Sequence, residues 1–377
     1  MKKLIDCIAI ISGFTTLAKA QVDMVYQKPP QEILELVDAP QTPSVVIDDK
    51  NETMLLLYRN KYSNIAELSE PELRLAGLRI NPVTNTASRA TYYNHIELMK
   101  VGETKPAEVS GLPAEPRMAG FSYSPDQTKM AFTNTTDSGV ELWMLDIPAA
   151  SARKITGAIL NDNIGRSFYW FTDNQNLLVK IIPDNKKPLI NKTEAIPTGP
   201  RVSVSEGIKA QNRTYQDLLQ DKADEFNFEQ LVRSQICKID VNGNQTQWKE
   251  TDMYTRFNFS PDGEYVLVTT IQKPFSYIVP WERFPSKTII YDRAGNEVKK
   301  LLEIPLREDM PQGIVATQKG LLGVNWRADK PAAIFYVEAL DEGVGGLLAP
   351  IRRHRREHRR TRQHRPSHDL ANLLCET

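Results

Sequence analysis

Histidine and cysteine are nearly missing from most of this 377-residue chain. His95 is the sole histidine before residue 354, and of the three cysteines, Cys7, Cys237 and Cys375, only Cys237 falls in the central part. One central thiol excludes a disulfide framework and reads as a buried, inert side chain. His95, in Tyr92-Tyr-Asn-His-Ile96, cannot be paired with any serine from the sequence and reads as a strand or loop residue. Beyond the N-terminus there is no second hydrophobic run to anchor the chain in a membrane. Net charge is also missing, but the formal value of zero hides an asymmetry. Residues 351–377 carry eight Arg against two Glu and one Asp, so the first 350 residues hold the matching surplus of five negative charges. A mildly acidic body argues against a nucleic-acid surface. What is abundant is turn chemistry. The chain has 24 Pro and 19 Gly in a 41% hydrophobic background, as a folded all-β protein requires.

An internal repeat organises the rest. Five times an apolar or aromatic residue is followed three positions later by Asp and six positions after that by an apolar residue: Val46/Asp49/Leu55, Tyr123/Asp126/Phe132, Trp170/Asp173/Val179, Phe259/Asp262/Val268 and Trp326/Asp329/Phe335. Each set predicts a β-hairpin in which Asp hydrogen-bonds the turn backbone between two strands. The Asp residues lie 77, 47, 89 and 67 positions apart, which leaves room for about four strands per repeat. Val140–Asp146 and Thr288–Asp292 supply further strand-like runs. Asn242-Gly243 and Arg293-Ala-Gly-Asn296 supply hairpin turns. Four-stranded units repeated in this way predict a β-propeller of about five recognisable blades, over residues 44–341 and incomplete in its closure.

Around this body lie other segments. Met1-Lys2-Lys3, the apolar stretch Ile8–Leu17 and Ala18-Lys-Ala20 predict a signal peptide over residues 1–20, hence a periplasmic or secreted protein. Within residues 21–43, Gln31–Asp38 predicts a short amphipathic helix with Ile33, Leu34 and Val37 on one face. Ser69-Glu-Pro-Glu72 has capping-box spacing and predicts a helix start presenting Leu73 and Leu75. Residues 183–214 predict a long inter-blade excursion, with a brief helix starting at Thr214.

Four longer strings carry a resemblance: Tyr26–Pro40, Ala66–Ile80, Lys273–Pro280 and Asn325–Pro331. Together they resemble the N-terminal propeller of the prolyl oligopeptidase family of serine peptidases, in its glutamyl endopeptidase branch, from about residue 24 to 341. The resemblance implies a propeller that caps a separate α/β-hydrolase domain and restricts access to short or flexible peptides. It also implies peptide substrates cut after Glu, and no cofactor. The hydrolase signature does not occur in this sequence. A nucleophile elbow needs Gly-x-Ser-x-Gly, and the nearest approach, Gly120-Phe-Ser-Tyr-Ser124, ends in Ser. No triad residue can therefore be assigned, and the chain reads as a non-catalytic portion of such an enzyme. Because a Glu-preferring enzyme needs cations near its substrate path, Arg74, Arg79 and Arg89 are the candidate substrate-binding residues; the more common role of a surface Arg, and the competing reading of each, is a local ion pair. The alternative class is a stand-alone periplasmic propeller that binds a protein or peptide partner.

Residues 342–377 break the pattern. Four of the five histidines lie between 354 and 368 among clustered arginines, and so abrupt a change reads as a disordered basic tail translated out of frame. Such a tail can touch an anionic surface such as lipopolysaccharide. His354-Arg-Arg-Glu-His358 has the spacing of an inverted zinc-peptidase motif. Six arginines within residues 352–360 oppose a dication there, so no metal ligand is assigned.

Overall fold

Five hairpins form where the repeat places them. In the computed structural model residues 28–192, 215–308, 321–338 and 368–369 are described. The stretch expected to be a signal peptide and nearly all of the basic tail lie outside these residues. The chain divides at Thr42/Pro43 into two compact units. The first contains α1 (Gln31–Asp38), which carries Glu32 in its first turn and has no buried residue.

The second unit is built from four consecutive four-stranded antiparallel sheets and a shorter fifth. The first joins β1 (Ser44–Ile47), β2 (Thr53–Tyr58), β6 (His95–Lys100) and β7 (Ala107–Glu108). Inserted between β2 and β6 are α2 (Ile65–Leu68) and a small sheet of β3 (Leu73–Leu75), β4 (Leu78–Asn81) and β5 (Thr86–Ala87). The second sheet is β8 (Met118–Tyr123), β9 (Lys129–Thr136), β10 (Gly139–Asp146) and β11 (Ser151–Lys154). The third is β12 (Phe168–Trp170), β13 (Asn176–Ile181), β14 (Ser234–Asp240) and β15 (Gln245–Asp252), with α3 (Lys222–Val232) in the excursion before β14. The fourth is β16 (Tyr254–Phe259), β17 (Tyr265–Ile271), β18 (Ser286–Asp292) and β19 (Glu297–Ile304). The fifth holds β20 (Leu321–Trp326), β21 (Ala333–Glu338) and β22 (His368–Asp369), so two residues of the basic tail pair with a blade strand. Sheets that repeat in sequence order and pack face to face are the blades of a β-propeller. No sheet closes on itself among the described residues.

Period-two alternation is what stacks the blades. In β9, Met130 and Phe132 face the first blade, while Ala131 faces the third. In β13, Leu177 and Val179 face the second blade and Leu178 faces the fourth. In β17, Val266 and Val268 face the third and Leu267 the fifth. All nine are buried, so one central strand feeds two inter-blade cores.

The turns follow the repeat with two corrections. Asp126 Oδ1 accepts the backbone N–H of Thr128 at 3.1 Å, Asp173 Oδ1 that of Gln175 at 2.9 Å, and Asp262 Oδ1 that of Glu264 at 3.1 Å. In the first hairpin the turn is held by Asp48, not Asp49, through N–H groups of Glu52 and Thr53 at 2.7 and 3.2 Å. Asp48 occupies the place that Ser124 and Ser260 hold elsewhere, where the backbone closes from residue i to residue i+5. This releases Asp49 to reach across to Gln127 of the next blade. In the fifth hairpin Asp329 is engaged by Arg327 at 2.5 and 2.7 Å.

Two helix expectations also change. Leu73–Leu75 is a strand, and the helix precedes it, capped by Asn64 through the Glu67 N–H at 2.8 Å. Pro71 and the alternation of Leu73, Arg74 and Leu75 favour the strand. The helix anticipated at Thr214 begins at Lys222, where Asp221 accepts the Asp224 N–H at 2.9 Å as a true N-cap. Residues 193–214 of the excursion lie outside the described part.

Candidate functional site: a basic cleft beside the inserted hairpin

The β3–β4 hairpin is short because Ala76 and Gly77 turn it with positive φ (53° and 87°). A Cβ on Gly77 would lie 2.8 Å from Pro280 Cβ, and Ala76 accepts the Trp281 N–H at 2.9 Å. Two of the strings singled out above, 66–80 and 273–280, therefore pack on each other. Beneath them Leu75 and Ile80 join Phe228 of α3, with Phe275 and Phe284, in one buried cluster. Phe228 meets Phe275 edge-on at 5.1 Å and Phe284 at 5.7 Å. Insertions from three blades thus fix the hairpin and the loops that flank it.

The hairpin brings Arg74, Arg79 and Arg89 together, but in company with carboxylates. Arg74 and Arg79 are cross-strand partners. Arg79 Nε donates to Asp217 at 2.7 Å, and Arg74 lies 2.9 Å from Glu72 and 3.8 Å from Asp217. The hydrogen bond to Asp217 raises the Arg79 guanidinium pKa. Ser88 donates to Glu72 at 2.6 Å, and this bond, aided by Arg74, holds the Glu72 carboxyl below the usual range. Arg74 and Arg79 thus lie in local ion pairs. Arg89 differs. It stands at positive φ (57°), its nearest carboxylate oxygen is 3.9 Å away on Glu72, and its side chain is 59% exposed.

Arg89 lines a cleft of about 250 Å³ together with Arg59, Lys61, Tyr62, Tyr92 and Arg117. Arg117 donates to Glu70 at 2.7 Å and stacks its guanidinium over Tyr92 at 4.7 Å. Four cations and two tyrosines face this space, against Glu67 as the one acidic group of the lining. Such a lining suits a carboxylate-bearing side chain or chain terminus. Of the cations that line this cleft, sequence reasoning named Arg89 and not Arg59, Lys61 or Arg117. The available signal was a cation next to tyrosine at both Lys61-Tyr62 and the Arg89–Tyr92 stretch; nothing local links these to Arg117.

Cys237 is buried and unpaired, and burial pushes its thiol pKa up. No helix among the described residues is long and apolar enough to cross a membrane.

No family model matches the chain. Among curated proteins it is 33% identical over 333 residues to a probable chloroplastic glutamyl endopeptidase of Oryza sativa subsp. japonica, covering 85% of this chain and 35% of that protein. It is 33% identical over 335 residues to the protein of the same description from Arabidopsis thaliana, covering 84% and 34%. Solved structures with a partial likeness include Pyrococcus horikoshii acylaminoacyl peptidase (13% identity, 81% of this chain and 43% of that one, TM-score 0.39). Another is prolyl oligopeptidase B of Galerina marginata (9%, 79% and 30%, TM-score 0.38). The repeated four-stranded sheets make the fold a propeller. By sequence the chain belongs to the glutamyl endopeptidase branch of the prolyl oligopeptidase family. It spans about a third of the length of the curated relatives it matches.

Proposed function

We propose that this chain is the non-catalytic propeller portion of an exported serine-type peptidase, and that its basic cleft receives an acidic side chain of a peptide. The observation that carries the reading is the 33% identity over 333 residues to glutamyl endopeptidases. The missing Gly-x-Ser-x-Gly string supports a chain that does no acyl transfer by itself, since that string is what sets an activated serine beside an oxyanion hole. Export rests on the lysine-initiated apolar N-terminus and its Ala18-Lys-Ala20 ending.

In the cleft, Arg89 is the residue assigned to the substrate carboxylate, because Asp217 already engages Arg74 and Arg79. Two measurements test the proposal. The purified chain should neither hydrolyse Glu-containing peptides nor react with a fluorophosphonate; turnover blocked by that probe overturns the non-catalytic reading. Anisotropy titration should show a labelled Glu peptide binding more tightly than its Gln counterpart, and Arg89→Glu should erase the preference, about a tenfold loss. Equal binding of both peptides overturns the cleft assignment.

A further inference from the structure

We propose that His95, Glu97 and Glu108 on the first blade form a divalent-cation site whose donor set fits zinc. The backbone arranges the three. His95 and Glu97 are two apart on β6 and share one sheet face, and the register sets Glu97 opposite Glu108 on β7. His95 Nε2 lies 3.4 Å from Glu108 Oε2 and 3.9 Å from Glu97 Oε1, and one ligand atom from each residue falls within 4.8 Å of the others. A tetrahedral zinc ion with bonds of about 2.0–2.1 Å separates its donors by roughly 3.3 Å, so the His95–Glu108 pair already stands near that spacing and the other pairs must close by up to about 1.5 Å, within the reach of glutamate side-chain rotation. One imidazole and two carboxylates leave the fourth position for water, as in zinc sites with three protein ligands.

Orientation comes from the neighbouring strand. Tyr58, paired with His95 across β2 and β6, donates its hydroxyl to Glu97 Oε2 and leaves Oε1 turned towards the imidazole. A hydrogen bond behind a ligating carboxylate is the usual way a protein aims such a ligand. Two carboxylates set directly opposite on antiparallel strands otherwise repel each other, and a dication between them removes that cost. Glu108 is 75% exposed, so the ion reaches the site from solvent without any opening of the blade.

The test is zinc competition with a chromophoric chelator on the full chain after EDTA treatment. Residues 354, 358, 364 and 368 are also histidines, so the readout is the difference between the parent and its variants. The parent should bind one more equivalent than His95→Ala. Glu108→Gln, a change at an exposed position, should weaken that equivalent at least tenfold, and Tyr58→Phe should weaken it about tenfold. Zinc should also shift the His95 ring nitrogens in a long-range proton–nitrogen spectrum. Equal equivalents in parent and His95→Ala, or an affinity indifferent to Glu108→Gln, overturns the proposal and leaves the three side chains as an ion-pair cluster.

Discussion

Lys180 is the fully buried charge of the third blade. It lies on β13 with no exposed surface and donates from Nζ to the Ile164 carbonyl. Burial lowers its pKa from 10.5 to about 8, against the opposing pull of Asp162. Burial in turn raises the Asp162 carboxyl, offset by Ser167 and Lys180. The unfolded lysine keeps its proton to about pH 10.5 and the folded one releases it near 8, so between these values the unfolded state binds more protons. Unfolding free energy should therefore climb as pH rises from 8 to 10, by an amount on the order of 1–3 kcal/mol. Lys180→Met should flatten that climb in urea titrations across the same range. Its slope is the readout, because Asp162 loses its counter-charge in the variant. An unchanged slope would show that Lys180 is not the titrating group.

At the scale of elements, the hairpin is the unit that repeats, and its turn tolerates a shift of one residue. Three turns are held by Asp126, Asp173 and Asp262, as the spacing requires, because Asp can accept the N–H two residues on. Asp48 does the same work one position earlier in the first blade because two acidic residues are adjacent there, and no pattern of residue types tells which one turns inward. Buried alternation marks the strands, whereas the small β3–β5 sheet is masked in the sequence by a Ser-Glu-Pro-Glu string that imitates a helix cap. Its decisive feature is a distant contact. Gly77 at φ +87° leaves no room for a Cβ beside Pro280. Gly77→Ala should cost about 1–3 kcal/mol by urea denaturation, through backbone strain and loss of the contact with the 273–280 segment. A midpoint equal to that of the parent would show that the two segments separate at no cost.

At the scale of the molecule, the two terminal blades differ from the three between them. The face of the first blade that carries Leu55, Leu57, Ile96 and Leu98 packs on the second blade. The opposite face leaves Val45 half exposed and Ile47 49% exposed, and on the fifth blade Phe335 is 37% exposed while its neighbour Ile334 is buried against the fourth. A central strand has apolar residues for two neighbours, and a terminal strand has used only one set. Exposed apolar sheet faces associate. Light scattering after size exclusion should show concentration-dependent self-association, and Val45→Thr with Ile47→Thr should weaken it about tenfold or more, at roughly 1 kcal/mol per side chain withdrawn from water. A parent that stays monodisperse and unfolds in one cooperative step would sink this expectation.

The sequence by itself determined the all-β propeller, the five hairpins, the α1 segment and the family, because period-two alternation, turn chemistry and long motif strings are local and survive without coordinates. Tertiary structure decided which of these residues meet. Arg74 and Arg79 are engaged by Asp217, which is 138 residues from Arg79 in the chain, and Arg117 arrives at the cleft from the next blade. His95 gains its second carboxylate, Glu108, only through strand register. Neither charge compensation nor cross-strand register follows from residue types along one segment, since both depend on contacts that only the folded chain creates.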